Sequence, residues 1–219
     1  MAAELESVMA RYLTAVSRQQ DAMLGAEMEV DIDGRLVDLK EEGRMRVKRI
    51  ISKAGAITFD FLGFNGDERV KKELIQRYLE QDQKARNYGA MSVTPVDYDF
   101  KIRAIVTKNV GTPEARTVYV FGVEPRKKEM GLFRGEVWVD GPTGMPLKEA
   151  GQIVKSPSHF LTDILFVRDY DLLDGISIVK HFESSAKVRL LGVGRALLDI
   201  NFSNFRYADL AEAPSVAGF

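Results

Sequence analysis

The sequence predicts a mainly β protein of the α+β class: one large, curved, antiparallel sheet of about eleven strands whose apolar face is covered by two amphipathic helices. Three observations carry this. Two stretches repeat apolar residues at helical spacing, and most of the remainder alternates apolar and polar residues with a period of two. The strand-like stretches are also separated by turn-length gaps. Such gaps demand antiparallel neighbours, because a parallel return needs a crossover of about a dozen residues. Residues 1–219 are read as a single domain, with the Ala-, Pro- and Gly-rich end at about 211–219 as a frayed tail.

Leu5, Val8, Met9, Tyr12, Leu13 and Val16 form one stripe of a helix predicted over about residues 3–20. From Met28 the period changes to two: Met28, Val30 and Ile32 alternate with Glu27, Glu29, Asp31 and Asp33, giving a strand with one apolar and one charged side. Met45 and Val47, set between Arg44, Arg46 and Lys48, repeat the pattern, and Ile57, Phe59 and Phe61 follow a turn at Lys53-Ala54-Gly55.

A second helix is predicted over about 68–86, with Asp67 as N-cap and Val70, Leu74, Ile75, Tyr78 and Leu79 as its apolar stripe. After Pro95 the strands resume, first with Tyr98, Phe100, Ile102, Ala104 and Val106. They continue at about 116–124, 133–140, 145–155, 161–170, 176–184, 186–192 and 196–206, between turn signals such as Gly111-Thr112-Pro113, Gly141-Pro142, Ser156-Pro157 and Asp174-Gly175. Two helices that interrupt the strands, rather than alternate with them, argue against a doubly wound fold.

Composition narrows the function classes. Lys and Arg total 31 against 32 Asp and Glu, so no global field attracts a phosphate backbone, and nucleic acid is not an expected partner. The absence of cysteine removes thiolate chemistry, and two histidines make a histidine-rich metal site improbable; no cofactor or metal is expected. No run reaches the roughly 18 apolar residues of a membrane-spanning helix, and Met1-Ala2-Ala3-Glu4 opens directly into a helical pattern. The chain is read as soluble and not membrane-spanning; removal of a leader upstream would leave the same sequence.

The stretch from Gly135 to Leu147 reads as strand, tight turn and strand, with Gly144 supplying a positive φ and Pro146 opening the second strand. Its Trp138-x-Asp140-x-x-Thr143-x-x-Pro146 pattern resembles a hairpin of the LolA/LolB-like lipoprotein carrier superfamily. The N-terminal helix running through Gln19-Gln20 into a Gly25-led strand, and the helix after the third strand, are similar to that family too. The resemblance implies an incomplete, roughly eleven-stranded barrel around helices, enclosing a hydrophobic cavity for acyl chains. It also implies an arginine on an early strand that holds the helical lid; Arg44, Arg46 and Arg49 are the candidates.

On this reading the ligand-binding residues are Met9, Tyr12, Phe59, Phe61, Leu74, Tyr78, Phe100, Ile102, Trp138 and Phe166. Each weighs against a bland alternative, since a filled core and a ligand cavity share one alternating pattern. Other motifs are weaker. Asp169, Asp171 and Asp174 before Gly175 lack calcium-loop spacing and fit a β-turn. His159 and His181, near Ser158, Glu183 and Ser184, lack a nucleophile elbow, and His181-x-Glu183 lacks zinc-enzyme spacing. Gly192-Val193-Gly194 precedes no helix, and Arg126-Lys127-Lys128 fits a solvated loop.

The expectation is therefore a non-enzymatic protein of the periplasm, reached through a leader removed upstream, binding an acyl chain of a lipid or lipoprotein. The alternative is an envelope sensor or protein-recognition module on the same scaffold. In that case the interior is filled and outward charges such as Lys101 and Arg103 meet a partner protein.

Overall fold

The computed structural model describes residues 2–84, 93–108, 115–156, 160–189 and 194–206. A long helix, α1 (Ala2–Ala22), leads into β1 (Glu27–Leu36), β2 (Glu41–Ile51) and β3 (Ile57–Gly66). The second helix, α2, has an α-helical turn at Glu68–Val70, a π-helical turn at Lys71–Ile75 and a regular α-helix at Gln76–Lys84. The remaining strands are β4 (Tyr98–Lys108), β5 (Arg116–Pro125), β6 (Phe133–Asp140), β7 (Pro146–Ile153), β8 (Leu161–Leu173), β9 (Ile176–Val188) and β10 (Gly194–Arg206).

All ten strands form one antiparallel sheet in the order β3-β2-β1-β10-β9-β8-β7-β6-β5-β4. β3 and β4 are the two free edges. The chain passes from one to the other through the segment that contains α2, which packs on the concave face over β1, β2 and β10.

The described strands number ten, not eleven, because the two strands expected at 176–184 and 186–192 are one. The polar Glu183-Ser184-Ser185 run continues the ladder, with Ser184 opposite Leu198 and Ser185 opposite Leu197. Asp67 precedes α2 but makes no side-chain cap; its Oδ2 accepts the Glu42 N–H at 2.9 Å instead. Asp174 and Gly175 both take positive φ and join β8 to β9 through a two-residue hairpin loop, as the turn reading requires. His159, Gly192, Val193, residues 85–86 of the expected helix, the Gly111-Thr112-Pro113 and Pro157 turn signals and the 211–219 tail lie outside the described residues.

The concave face holds two apolar clusters. One packs Val70, Leu74 and Ile75 of α2 on Val30, Ile32, Met45, Val47, Leu198 and Ile200. Gly34 makes this docking possible: a Cβ there would lie 2.9 Å from Val70 Cγ1. The other cluster packs Val8, Tyr12 and Val16 of α1 on Tyr119, Phe121, Val137, Val139 and Phe166. Partly buried Phe182 borders both.

The Trp138–Pro146 stretch acts here as a seat for α1. Asp140 Oδ2 accepts the Thr143 N–H (3.2 Å) and hydroxyl (2.6 Å), fixing a tight turn, and Arg11 Nε donates to Gly141 O at 2.9 Å. Gly144, at φ 74°, touches the backbone of Arg11 and Tyr12. Its lack of a side chain lets the helix rest directly on the turn.

Candidate functional site

Where the two apolar clusters meet, the concave face is neither filled nor purely apolar. A cavity of about 130 Å³ lies between α1, α2 and the sheet, lined by apolar residues including Met28, Ile57, Ile178, Phe182 and Phe202. Two acid–base pairs stand in its wall.

The first pair joins α2 to the sheet. On β2, Val47 and Ile51 face the core, and Arg49 between them must face it too. Its Nε and Nη2 donate to the two carboxylate oxygens of Asp82 on α2, at 2.7 and 3.1 Å. The Arg49 side chain is only 8% exposed and that of Asp82 20%. Of the three early-strand arginines Arg49 is the one that pairs with α2, whereas Arg44 and Arg46 lie on the convex face and pair with Asp31, Asp33 and Glu29 in a solvated ladder.

The second pair lies on the opposite wall. Arg168 of β8 donates through Nη1 to Glu149 Oε2 of β7 at 2.9 Å, with the Tyr170 hydroxyl at 3.5 Å. Its guanidinium sits 5.7 Å from the Phe166 ring centroid and 5.6 Å from that of Phe182, and the two rings stack at 6.0 Å. Burial opposes the Arg168 cation, but Tyr170 and Glu149 outweigh it and hold its pKa above the usual arginine range.

Tyrosines complete the wall. Tyr78 of α2 packs on Phe182 at 5.8 Å, and Tyr12 of α1 donates its hydroxyl to Val93 O at 2.8 Å. Burial raises the pKa of both phenols, helped by Asp82 for Tyr78 and by Glu149 for Tyr12, so they stay neutral. Gln19 of α1 is buried with its side-chain oxygen unpaired among the described residues, a cost the closed arrangement carries.

Of the ten residues expected at the ligand, Tyr12 and Tyr78 line this cavity. Leu74 and Phe166 are buried in the two clusters, Leu74 on the sheet-facing side of α2 and Phe166 beneath Arg168. Met9, Phe59 and Phe100 are partly buried against those clusters, and Phe100 meets Tyr12 edge-on at 6.2 Å. Phe61 and Ile102, on the two edge strands, are 62% and 41% exposed because no further strand covers them.

Trp138 is placed on the other side of the sheet. Its neighbours Val137 and Val139 face the core, so it points to the convex face, where Nε1 donates to Glu136 Oε2 at 3.3 Å. The pattern reading missed Arg168, Glu149 and Asp82. The available signal was a charge at an inward register, as in Phe166-x-Arg168-x-Tyr170.

The His181 ring meets Asp199 and Glu183 on the convex face, while Ser158 and His159 lie outside the described residues. No described helix is long and apolar enough to cross a membrane, which does not bear on β-barrels.

No known protein-family profile matches the chain, and no curated protein matches it by sequence. Solved structures do. A domain assigned as an outer membrane lipoprotein-sorting protein, from Vibrio parahaemolyticus, superposes with a TM-score of 0.50 at 14% identity, over 92% of this chain and 93% of that one. A LolA superfamily protein from Nitrosomonas europaea gives 0.48 at 12% identity, covering 94% of each chain. A DUF1329 family protein from Desulfovibrio piger gives 0.43 at 16% identity, over 94% and 95%. At 14% identity the likeness to the Vibrio domain establishes the fold alone: the chain shares its incomplete antiparallel barrel, as the hairpin motif and element order suggested.

Proposed function

We propose that this protein is a non-enzymatic cell-envelope protein that binds a lipophilic ligand, the acyl chain of a lipid or lipoprotein, between the concave sheet face and its helices. The observation that carries the reading is the Arg49–Asp82 pair, a directional latch between the sheet and the outer half of α2 beside an apolar-walled cavity. The shared fold of the Vibrio lipoprotein-sorting domain supports it, as does the arginine that the family resemblance places on an early strand. A leader encoded upstream would direct the protein to the periplasm.

The closed cavity, at about 130 Å³, is smaller than the roughly 300 Å³ at which ligand pockets begin. Binding therefore requires the Gln76–Lys84 half of α2 to move. Opening parts the Arg49–Asp82 pair, but both charges regain water, so the cost stays below that of leaving one of them buried alone. Each methylene buried contributes about 0.8 kcal/mol towards offsetting it.

Displacement of a fluorescent fatty acid by a chain-length series tests this. Affinity should be negligible for the shortest acids and rise about fourfold with each added methylene, at about 0.8 kcal/mol each; no displacement at any length, with no lipid retained in native mass spectrometry, overturns the proposal.

A second reading, protein recognition, is favoured by the β4 edge. There Ile102 and Ile105 are 41% and 47% exposed, and Lys101 and Arg103 make no ion pair among the described residues. Pull-downs in which Lys101→Glu and Arg103→Glu lose a partner, with acyl binding intact, would select it.

A further inference from the structure

The convex face carries many cross-strand acid–base pairs. Glu27 meets Lys48, Glu29 meets Arg46, Asp31 and Asp33 meet Arg44, Asp169 meets Lys148, Asp171 meets Lys180 and Asp163 meets Lys187. Among the described residues, acid also opposes acid on this face. Glu183 of β9 stands directly opposite Asp199 of β10, and Asp199 stands opposite Asp33 of β1. Like charges in directly opposed positions destabilise a sheet, and neither Glu183 nor Asp199 pairs with a lysine or arginine among the described residues.

The group between these two carboxylates is an imidazole. His181 lies two residues before Glu183 on one strand, so both side chains leave the same face, and Asp199 reaches them from the neighbouring strand. His181 Nε2 is 3.0 Å from Asp199 Oδ1 and 3.8 Å from Glu183 Oε1, and the three ligand atoms lie within 4.8 Å of one another. In a tetrahedral site with bonds of about 2.0–2.2 Å, ligand atoms stand about 3.4 Å apart. The observed spacings bracket that value. Asn201 Nδ2 donates to Asp199 Oδ1 at 3.2 Å, orienting the carboxylate as an outer-shell partner does. Glu183 and Asp199 open onto a surface furrow of about 270 Å³, which leaves room for further ligands.

We propose that His181, Glu183 and Asp199 bind a divalent transition-metal ion of the Zn²⁺ class. One imidazole nitrogen with two carboxylates is a set that suits such ions, whereas calcium and magnesium prefer oxygen donors alone. The ion takes the place of the direct His181 Nε2–Asp199 contact, neutralises the opposed carboxylates, ties β9 to β10 and keeps its remaining positions open to solvent. Sequence spacing cannot display this site, because its third ligand is brought in only by strand register.

The test is calorimetric titration of the untagged protein with Zn²⁺, and separately with Ca²⁺ and Mg²⁺, together with melting curves. One Zn²⁺ per chain and a melting temperature raised by Zn²⁺ are expected. His181→Ala and Asp199→Asn should each weaken binding at least about tenfold, the loss that removal of even an outer-shell partner brings. Asp171→Asn, on the same face, should not weaken it. The asparagine variant keeps the shape of Asp199, so it decides the matter if His181→Ala fails to fold. Absence of stoichiometric Zn²⁺ binding overturns the proposal. So does Zn²⁺ binding that survives both substitutions, or equal binding of Ca²⁺ and Zn²⁺ indifferent to His181.

Discussion

Asp82→Ala isolates the latch between α2 and the sheet. The substitution removes the acceptor of two hydrogen bonds, at 2.7 and 3.1 Å, and leaves the guanidinium of Arg49 in a wall where its side chain is 8% exposed. Breaking a buried pair by removing one partner costs about 3–5 kcal/mol. The loss should fall locally. Val70, Leu74 and Ile75 anchor the first half of α2 in the apolar cluster, whereas Gln76–Lys84 has no fully buried residue and rests on Tyr78, Leu79 and the latch. Amide exchange in residues 76–84 should therefore accelerate by about a hundredfold or more for a 3 kcal/mol loss, at about tenfold per 1.4 kcal/mol, while β1 and β10 stay protected. The discriminating arm is Arg49→Met with Asp82→Leu. Replacing both partners by apolar groups should recover most of the stability and slow exchange in 76–84 again. Unchanged exchange in Asp82→Ala, or an acceleration spread equally over the sheet, would refute the latch.

Two further predictions rest on other parts of the fold. Gly144→Ala should destabilise by about 2–4 kcal/mol in urea unfolding, combining a positive φ with a Cβ that meets Arg11 and lies 2.6 Å from Tyr12 N. Gly175→Ala, at a similar φ but with nothing within 4 Å, should cost only about 1 kcal/mol; equal losses would show that the seat for α1 plays no part. Burial pushes the Tyr98 phenol up to about 12, against about 10 in an unfolded chain. The fold thus favours its neutral form, and this contribution is complete below about pH 10 and lost as pH rises through 12. Stability followed by denaturant unfolding should fall over that window, less steeply in Tyr98→Phe; identical slopes would remove Tyr98 as the cause.

The fold was legible in the sequence because a half-buried antiparallel sheet prints its two faces as alternation. Met28, Val30 and Ile32 against Glu29, Asp31 and Asp33 gave both the strand and its concave side. The strand count failed at Glu183-Ser184-Ser185, where polar residues continue a ladder whose faces lie under Leu198 and beside Leu197. Trp138 was misplaced because an aromatic residue was taken as inward, although Val137 and Val139 on either side already filled the inward register. The cavity was the least legible part. Its defining side chains, Arg49, Asp82, Glu149 and Arg168, are charges, and a charge on an inward register reads as an interruption until its partner on another element is known.

On the proposed function, that partnership is what would separate a lidded cavity from a filled core. Two buried ion pairs are a poor way to hold a domain together, since packed apolar side chains of the same volume serve stability as well or better. An apolar seam here would also merge the two clusters into one core and leave no boundary along which to open. Charges give the seam different properties: Arg49 and Asp82 hold the outer half of α2 by direction, and both can be hydrated once it lifts. The first half of α2 stays docked on Gly34, and the π-helical turn at Lys71–Ile75 lies between the anchored and the latched ends. Lifting the latched end exposes Ile57, Ile178, Phe182 and Phe202 as a continuous apolar wall. On the proposed function, the volume of about 130 Å³ is the gap left when that wall has no chain to cover, and an acyl chain would supply the burial that offsets parting the pair.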